Sequence, residues 1–216
     1  MKSKLVVFVL LLLFADYSAN TILSDKKLVA FQSSISAESN GNYDSAIKFL
    51  EDIYKDLSDD YLTNLRLGWL NYVKKDYEKS VKYYNKAIKI CDDCTEALLG
   101  LTYPLSAQNN WSDVESIYQK ILDEDENNYA ANLNLGKIKY NAAAYLNAKI
   151  YFENIYEDFP SDVETNIYLG WTYYQLGNAS KANDYFTDAL INDPDNSSAL
   201  EGINLTRWLK QLEKYL

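Results

Sequence analysis

A 34-residue period is the feature that most constrains the fold of this 216-residue chain. Five segments with a shared pattern begin 34 residues apart, without insertion or deletion, at Gly41, Lys75, Asn109, Ala143 and Gly177. Each period holds two stretches in which apolar residues recur at helical spacing, with a short polar break between them. The sequence therefore predicts an array of helical hairpins, in which each hairpin packs only on its neighbours.

Small and large residues occupy fixed places within each repeat. The five residues at the first place are Lys27, Tyr61, Thr95, Tyr129 and Val163. Small residues occupy the eighth place, at Ser34, Gly68, Thr102, Gly136 and Gly170. A ring occupies the twenty-fourth place of the later repeats, at Tyr84, Tyr118, Phe152 and Phe186. Because a small residue lets two helices approach closely, we expect each ring to fill the gap beside it.

This pattern resembles the tetratricopeptide repeat family, whose unit is a 34-residue helical hairpin with small residues at the eighth and twentieth places and proline near the end. The resemblance covers residues 27–216. It implies an all-α fold, a right-handed superhelical α-solenoid of helix-turn-helix hairpins. The sequence departs from the family at the fourth place, where Asn64, Asn132 and Asn166 replace an aromatic residue. We expect these departures to affect local packing rather than the fold.

The period divides the chain into repeats at 27–60, 61–94, 95–128, 129–162 and 163–196, and a C-terminal capping helix at 197–216. Residues 1–19 are predicted to be a signal peptide, because two lysines precede an apolar run from Leu5 to Ala15. That run is shorter than the roughly 20 residues that a membrane-spanning helix needs. Residues 20–26 are interpreted as a linker. We therefore expect an exported protein, periplasmic or extracellular; the alternative is an uncleaved membrane tether.

The composition excludes several classes of function. The chain has no histidine, which is the usual general base near neutral pH and the commonest metal ligand. The net charge of -10, without a local block of Lys or Arg, argues against binding to nucleic acid. The groove carboxylates belong to different repeats and give no close acid–base pair. We therefore expect no catalytic residue, no cofactor and no metal.

The resemblance also implies where a partner would bind. In the family, the first helix of each hairpin lines a concave groove, with places two, five, nine and twelve pointing into it. The candidate partner-binding residues are Arg66, Trp69, Tyr72, Tyr103, Lys137, Tyr140, Trp171, Tyr174 and Trp208. Places nine and twelve share a helix face, so each tryptophan should stand beside a tyrosine. The alternative is that these rings only pack between neighbouring repeats.

Three functions remain open on this evidence. A branch of the family grips the C-terminal carboxylate of its partners through several cationic and amide side chains, but here only Arg66 could serve. The first hypothesis is a non-catalytic exported scaffold that holds a peptide segment of an envelope or secreted protein in an aromatic groove. The second is a scaffold that binds a glycan chain or serves polysaccharide export. An enzyme is the third.

The two cysteines, Cys91 and Cys94, fall in the turn between the second and third repeats. They are too few and too isolated for a four-ligand zinc site. In an oxidising compartment they are predicted to form a local disulfide, which would replace the missing turn proline. A redox or intermolecular role is the alternative.

Pro104 lies at the tenth place of the third repeat, inside a predicted helix. Proline there removes a backbone donor and places its ring against the preceding turn. Gly100, four residues earlier, is expected to leave the space that this ring needs.

Overall fold

The structure is a computed structural model that describes the backbone of residues 2–212 and the side chains of residues 21–209. This part of the chain contains no strand. Its eleven α-helices are α1 (Lys2–Ser39), α2 (Tyr43–Leu57), α3 (Tyr61–Val73), α4 (Tyr77–Ile90), α5 (Thr95–Ala107), α6 (Trp111–Glu124), α7 (Tyr129–Asn141), α8 (Tyr145–Asp158), α9 (Val163–Gln175), α10 (Ala179–Asn192) and α11 (Ser197–Leu212). The predicted all-α fold class, a solenoid-type array of hairpins, is confirmed.

The chain forms two compact units, an N-terminal unit of residues 1–111 and a C-terminal unit of residues 112–216. In the N-terminal unit, α1 packs on α2, α3 packs on α4, and α5 packs on both α3 and α4. In the C-terminal unit, α7 packs on α8, α9 packs on α10, and α11 packs on both α9 and α10. Each unit thus contains two helical hairpins and one further helix that packs on the second of them.

The helices begin at the period that the sequence predicts. From α3 onward, the first helix of each hairpin begins at Tyr61, Thr95, Tyr129, Val163 and Ser197, each 34 residues after the last. The second helices begin at Tyr43, Tyr77, Trp111, Tyr145 and Ala179, with the same interval. A constant interval means that each hairpin presents equivalent side chains to its neighbour.

Helix α1 does not begin at the first place of its repeat, Lys27, whereas α3, α5, α7 and α9 do. It is continuous from Lys2 to Ser39, and the segment 20–26, interpreted above as a linker, is helical within it. Residues 2–39 contain no Gly or Pro, so the local sequence gives no break that would separate residues 20–26 from the rest of the helix. The signal peptide remains a prediction, since its side chains lie outside the described residues. Among the helices whose side chains are described, none is long and apolar enough to cross a bilayer.

A residue in the left-handed backbone region closes the turn inside each hairpin. Glycine occupies this place in the outer hairpins, with φ of 73° at Gly41 and 77° at Gly177. The middle hairpins place Lys75, Asn109 and Ala143 there, with φ between 56° and 66°. A side chain in this region costs about 1–2 kcal/mol, least for asparagine. Packing of the paired helices therefore imposes the middle turns against local preference.

Rings fill the space beside the small residues, as the sequence predicts. A Cβ on Gly68 would lie 2.9 Å from the Tyr84 ring, and one on Gly170 would lie 2.5 Å from the Phe186 ring. The Tyr84 ring also lies against Gly100 of the next hairpin, where an added Cβ would lie 2.2 Å from it. That Gly100 leaves space for the Pro104 ring stays a prediction. Pro104 is accommodated inside an unbroken α5.

Buried asparagines fix three of the turns between hairpins. Asn64, Asn132 and Asn166 have no solvent-exposed surface. The side-chain amide of each donates to the backbone carbonyls of the residues six and four places earlier: Ser58 and Asp60, Glu126 and Asn128, Pro160 and Asp162. The asparagines therefore do more than alter local packing, because each amide ties two carbonyls of the turn to the helix that follows it.

The turn before α5 is held differently. Leu98 occupies the fourth place there and carries no amide. In that turn Cys91 and Cys94 form a disulfide. A covalent closure thus stands where the neighbouring turns have an asparagine.

Candidate functional site

Three of the predicted groove residues form one aromatic cluster in the N-terminal unit. The N-terminal ring cluster consists of Trp69 and Tyr72 on α3 and Tyr103 on α5. Its ring centroids are 5.8 Å apart for Trp69–Tyr72, 5.4 Å for Tyr72–Tyr103 and 6.2 Å for Trp69–Tyr103. Trp69 is 38% exposed and Tyr103 is 50% exposed. The cluster therefore presents large apolar faces to solvent.

A carboxylate from the preceding hairpin orients this cluster. Glu38 on α1 accepts a hydrogen bond from the Trp69 indole N–H at 2.7 Å and from the Arg66 guanidinium at 2.5 Å. Arg66 also donates to the Ser34 hydroxyl at 3.2 Å. Each oxygen of the Glu38 carboxylate therefore accepts a hydrogen bond, and the Trp69 indole N–H is tied to α1.

An open cavity of about 400 Å³ lies beside the N-terminal ring cluster. Its lining comes almost entirely from the groove faces of α1, α3 and α5: Phe31, Leu62, Leu65, Arg66, Trp69, Tyr84, Glu96, Leu99, Gly100 and Tyr103. Tyr84 and Gly100 are buried, whereas Leu62 is half exposed. The cavity is mainly apolar, with a floor in the core and a wall open to solvent.

The charged groups around the cavity are mostly paired. Arg66 is paired with Glu38, and Lys27, whose ammonium lies 5.7 Å from the Phe31 ring centroid, is paired with Asp60 at 2.6 Å. Glu96 has no Lys or Arg partner among the described residues. Burial, together with the charge of Glu96, raises the pKa of Tyr61 beside it. The unpaired charge at this cavity is therefore negative.

The C-terminal unit repeats the pattern with a different outcome. The C-terminal ring cluster consists of Trp171 and Tyr174 on α9, whose centroids are 5.7 Å apart. Trp171 also packs edge-on against the buried Phe186 at 5.0 Å. Its indole N–H donates to the Ser198 hydroxyl of α11 at 2.8 Å. Both rings of the cluster are only partly exposed.

Two further predicted residues of the C-terminal unit meet at Tyr168. The centroid of the Tyr140 ring lies 5.8 Å from that of Tyr168, and the Lys137 ammonium lies 5.4 Å from the Tyr168 centroid. Lys137 is paired with Glu164 at 2.6 Å. Burial raises the pKa of Tyr140. The charge of Lys137 is therefore taken up within the unit.

Trp208 stands apart from both clusters. It lies on α11 and is 58% exposed, more than either of the other groove tryptophans. It makes no ring contact with any described residue. Its exposure without aromatic neighbours makes it a useful reference position for binding experiments.

Sequence reasoning missed the polar groups that orient the two indoles. Glu38 occupies the twelfth place of its repeat, where other repeats carry rings, and this replacement was the available signal. Ser198 gave no signal, because serine is unremarkable near the start of a helix. Tyr168 was missed although it occupies the sixth place of its repeat, the place at which Arg66 was chosen in the second repeat.

Burial and neighbouring charges shift the pKa of several tyrosines. Within the described residues, each tyrosine with a shifted pKa has it raised, for example to about 12 in Tyr173 by burial and by Glu153. A raised pKa keeps the tyrosine hydroxyl protonated near neutral pH. The described side chains also contain no group of three potential ligands that could hold a metal ion.

Comparison with known proteins gives a family match. The sequence profile of the tetratricopeptide repeat matches residues 32–93 and 133–197. Superkiller protein 3 of Schizosaccharomyces pombe is 27% identical over 128 residues. That alignment covers 56% of this chain, which spans only 9% of the yeast protein.

Two solved structures show a similar fold. A tetratricopeptide repeat protein from Parabacteroides merdae matches with a TM-score of 0.73 and 15% identity, over 87% of this chain and 74% of that one. YrrB, described as a tetratricopeptide repeat protein with an unusual peptide-binding site, matches with a TM-score of 0.64 and 19% identity. That match covers 80% of this chain and 89% of YrrB.

Proposed function

Because the chain belongs to the tetratricopeptide repeat family, we propose that it is a non-catalytic scaffold that binds a peptide segment of another protein at the N-terminal ring cluster. The observation that carries this proposal is the exposure of Trp69 and Tyr103 beside an open apolar cavity. Tryptophan and tyrosine are enriched at the energetic centres of protein interfaces, because they bury large areas at low entropic cost. Such a surface favours an apolar segment of a partner.

The N-terminal unit supports the binding role better than the C-terminal unit. Its indole is held by a carboxylate at the edge of the ring cluster, so the ring faces remain open. In the C-terminal unit, Trp171 packs on Phe186 and contributes to the core. The solved relative YrrB is described as having a peptide-binding site, which makes a peptide the natural first ligand to test.

The proposal includes export of the chain to an oxidising compartment. The Cys91–Cys94 disulfide favours this location, because disulfides persist mainly outside the reducing cytosol. The lysines and apolar run within residues 1–19 point the same way. Cell fractionation of the full chain and of a chain lacking residues 1–19 tests export. Recovery of both in the cytosolic fraction would contradict it.

A peptide array tests the binding role. Purified full-length protein is incubated with arrayed synthetic peptides, and positive peptides are then measured in solution by calorimetry. We expect Trp69→Ala to weaken binding about 30-fold, the loss typical of a central interface residue. Trp208→Ala is the matched control, since it removes a more exposed indole outside the cluster, and binding should change little.

Oligosaccharides are tested in parallel because aromatic faces among carboxylates also suit sugars. If oligosaccharides quench the tryptophan fluorescence and no peptide binds at any concentration, the ligand of the scaffold is a glycan and not a peptide. Equal losses in Trp69→Ala and Trp208→Ala would show that the N-terminal ring cluster is not the binding surface.

A further inference from the structure

We propose that the cavity of the N-terminal unit selects a peptide in which a large apolar side chain is followed by a basic one. The apolar side chain would enter the cavity, and the base would pair with Glu96. This inference rests on the proposed function and adds the sequence preference of the ligand. It concerns one occupant, an internal peptide segment, and it requires neither of the peptide's chain ends.

The shape of the cavity favours the apolar side chain. Its volume of about 400 Å³ is large enough for one aromatic or branched side chain with part of the backbone that carries it. Leu62, Leu99 and Trp69 form its sides, and the buried Tyr84 forms its floor. An apolar group entering this space would leave water and contact apolar atoms on several sides.

The charges favour a basic neighbour over an acidic one. Arg66 is the only cationic side chain in the lining, and Glu38 already neutralises it. Lys27, the next cation, is neutralised by Asp60. A carboxylate ligand would therefore meet no unpaired cation at the cavity. A basic ligand would meet Glu96, for which the described residues provide no cationic partner.

The C-terminal unit has a carboxylate at the same place of a repeat, and that carboxylate has a cationic partner. Glu164 occupies in its repeat the second place, which Glu96 occupies in the third repeat. Glu164 forms an ion pair with Lys137, with a distance of 2.6 Å between the carboxylate oxygen and the ammonium nitrogen. The corresponding place two periods before Lys137, in the repeat that precedes Glu96, carries Trp69 and not a lysine. Glu96 therefore lies beside Tyr61 and lines the same cavity as Trp69, whereas Glu164 is paired with a lysine.

The test uses four short peptides that differ only in a central pair: Phe-Lys, Phe-Gln, Phe-Glu and Ala-Lys. Each is flanked by Gly and Ser, acetylated at its N-terminus and amidated at its C-terminus. Dissociation constants are measured by calorimetry with the full-length protein at two salt concentrations. We expect Phe-Lys to bind about two- to fivefold more tightly than Phe-Gln, the range for an exposed ion pair. This advantage should shrink at high salt.

Two variants assign the preference to Glu96. Glu96→Gln should abolish the advantage of Phe-Lys over Phe-Gln, and Glu96→Lys should make Phe-Glu the tighter ligand. Glu164→Gln is the matched control and should leave the ranking of the peptides unchanged. Ala-Lys should bind weakly to all four proteins, because it has no side chain for the cavity.

The outcomes separate this inference from the proposed function. If peptides bind through Trp69 but Phe-Lys and Phe-Gln bind equally, or if Glu96→Gln keeps the difference, the preference is overturned and the scaffold role stands. The preference is also overturned if Ala-Lys binds as tightly as Phe-Lys. If none of these peptides and none of the arrayed peptides bind, both proposals fall.

Discussion

Trp69 and Trp171 occupy the same place in two repeats of the same chain, yet their indoles have different partners. The Trp69 indole N–H donates to Glu38, which precedes it by 31 residues, and the ring stays 38% exposed. The Trp171 indole N–H donates to Ser198, which follows it by 27 residues, and the ring packs on Phe186. One tryptophan is turned toward the preceding hairpin, and the other toward the following helix.

The two indoles find their acceptors on different neighbouring helices. The residue at the twelfth place of the preceding repeat is Glu38 for Trp69 but Tyr140 for Trp171. A carboxylate accepts a stronger hydrogen bond from an indole N–H than a neutral phenol oxygen does. A buried or half-buried indole N–H needs a partner, and that of Trp171 has the Ser198 hydroxyl on its other side. Different residues at the twelfth place thus accompany the different orientations of the two rings.

The largest effect expected is that of removing the ring on which Trp171 packs. Phe186→Ala deletes a fully buried side chain held between Gly170 and Gly202, and should cost about 3–5 kcal/mol of unfolding free energy. Urea denaturation measures this loss. In a protein that keeps Trp171 as its only tryptophan, the emission should shift to longer wavelength as the indole becomes wetter. A loss below about 1 kcal/mol would contradict the packing described for the C-terminal unit.

Replacing each of the two tryptophans should reduce the unfolding free energy by a different amount. Trp171→Ala should cost about 2 kcal/mol, and Trp69→Ala about 1 kcal/mol, because the first ring packs on the core and the second is largely outside it. Urea midpoints of the two single variants provide the comparison. An equal or reversed order would remove the distinction between the packing ring and the binding ring.

Replacing the two hydrogen-bond acceptors should also have unequal costs, and here the larger loss of unfolding free energy is expected in the N-terminal unit. Glu38→Ala leaves the Arg66 guanidinium and the Trp69 indole without their shared acceptor, and should cost about 1–2 kcal/mol. Ser198→Ala removes one neutral hydrogen bond and should cost about 0.5–1 kcal/mol. If Ser198→Ala proved the more costly change, the carboxylate would not be what holds the N-terminal ring cluster open.

The smallest expected effect is on the acid dependence of stability. Burial acts to raise the pKa of Asp60, but the hydrogen bonds from Lys27 and Thr63 outweigh it, so the pKa lies below its usual value. A carboxyl group with a lowered folded-state pKa stabilises the fold above its unfolded-state pKa of about 4 and loses this contribution as the pH falls through the folded-state value.

Asp60→Asn should therefore reduce the loss of stability seen below about pH 4, while the asparagine still caps α3. Asp162→Asn is the control from the C-terminal unit, since Asp162 caps α9 through the Thr165 N–H at 2.8 Å but has no ion pair among the described residues. Thermal denaturation from pH 2 to 7 measures both. Identical pH profiles for wild type and Asp60→Asn would show that the Lys27 pair contributes nothing.

The positions of the helices were predictable because they depend on residues that are close together in the sequence. Apolar spacing and the constant period placed Tyr61, Thr95, Tyr129 and Val163 at the first place of their repeats, and helices begin at these residues. The small residue at the eighth place and the ring at the twenty-fourth were paired correctly for Gly68 and Tyr84. The sequence did not reveal that the same Tyr84 ring also lies against Gly100 of the next hairpin. Spacing within one helix does not reveal such a contact.

The candidate site was predictable as a set of residues but not as a surface. The period brought Trp69, Tyr72 and Tyr103 to neighbouring helices, and they meet in one cluster. The same rule applied to Lys137 and Trp208 identified residues whose surroundings differ completely, one ion-paired and the other exposed without ring neighbours. The repeat predicts which helix face a residue occupies, but the residues of the adjacent hairpins set its exposure.

By itself the sequence determined that this chain folds as helical hairpins with a 34-residue period, because helix formation and turn chemistry depend on residues close together along the chain. Only the tertiary structure decided which way each indole turns and where the open cavity lies. Those choices depend on acceptors and rings about one repeat away in sequence, which come together only when neighbouring hairpins pack.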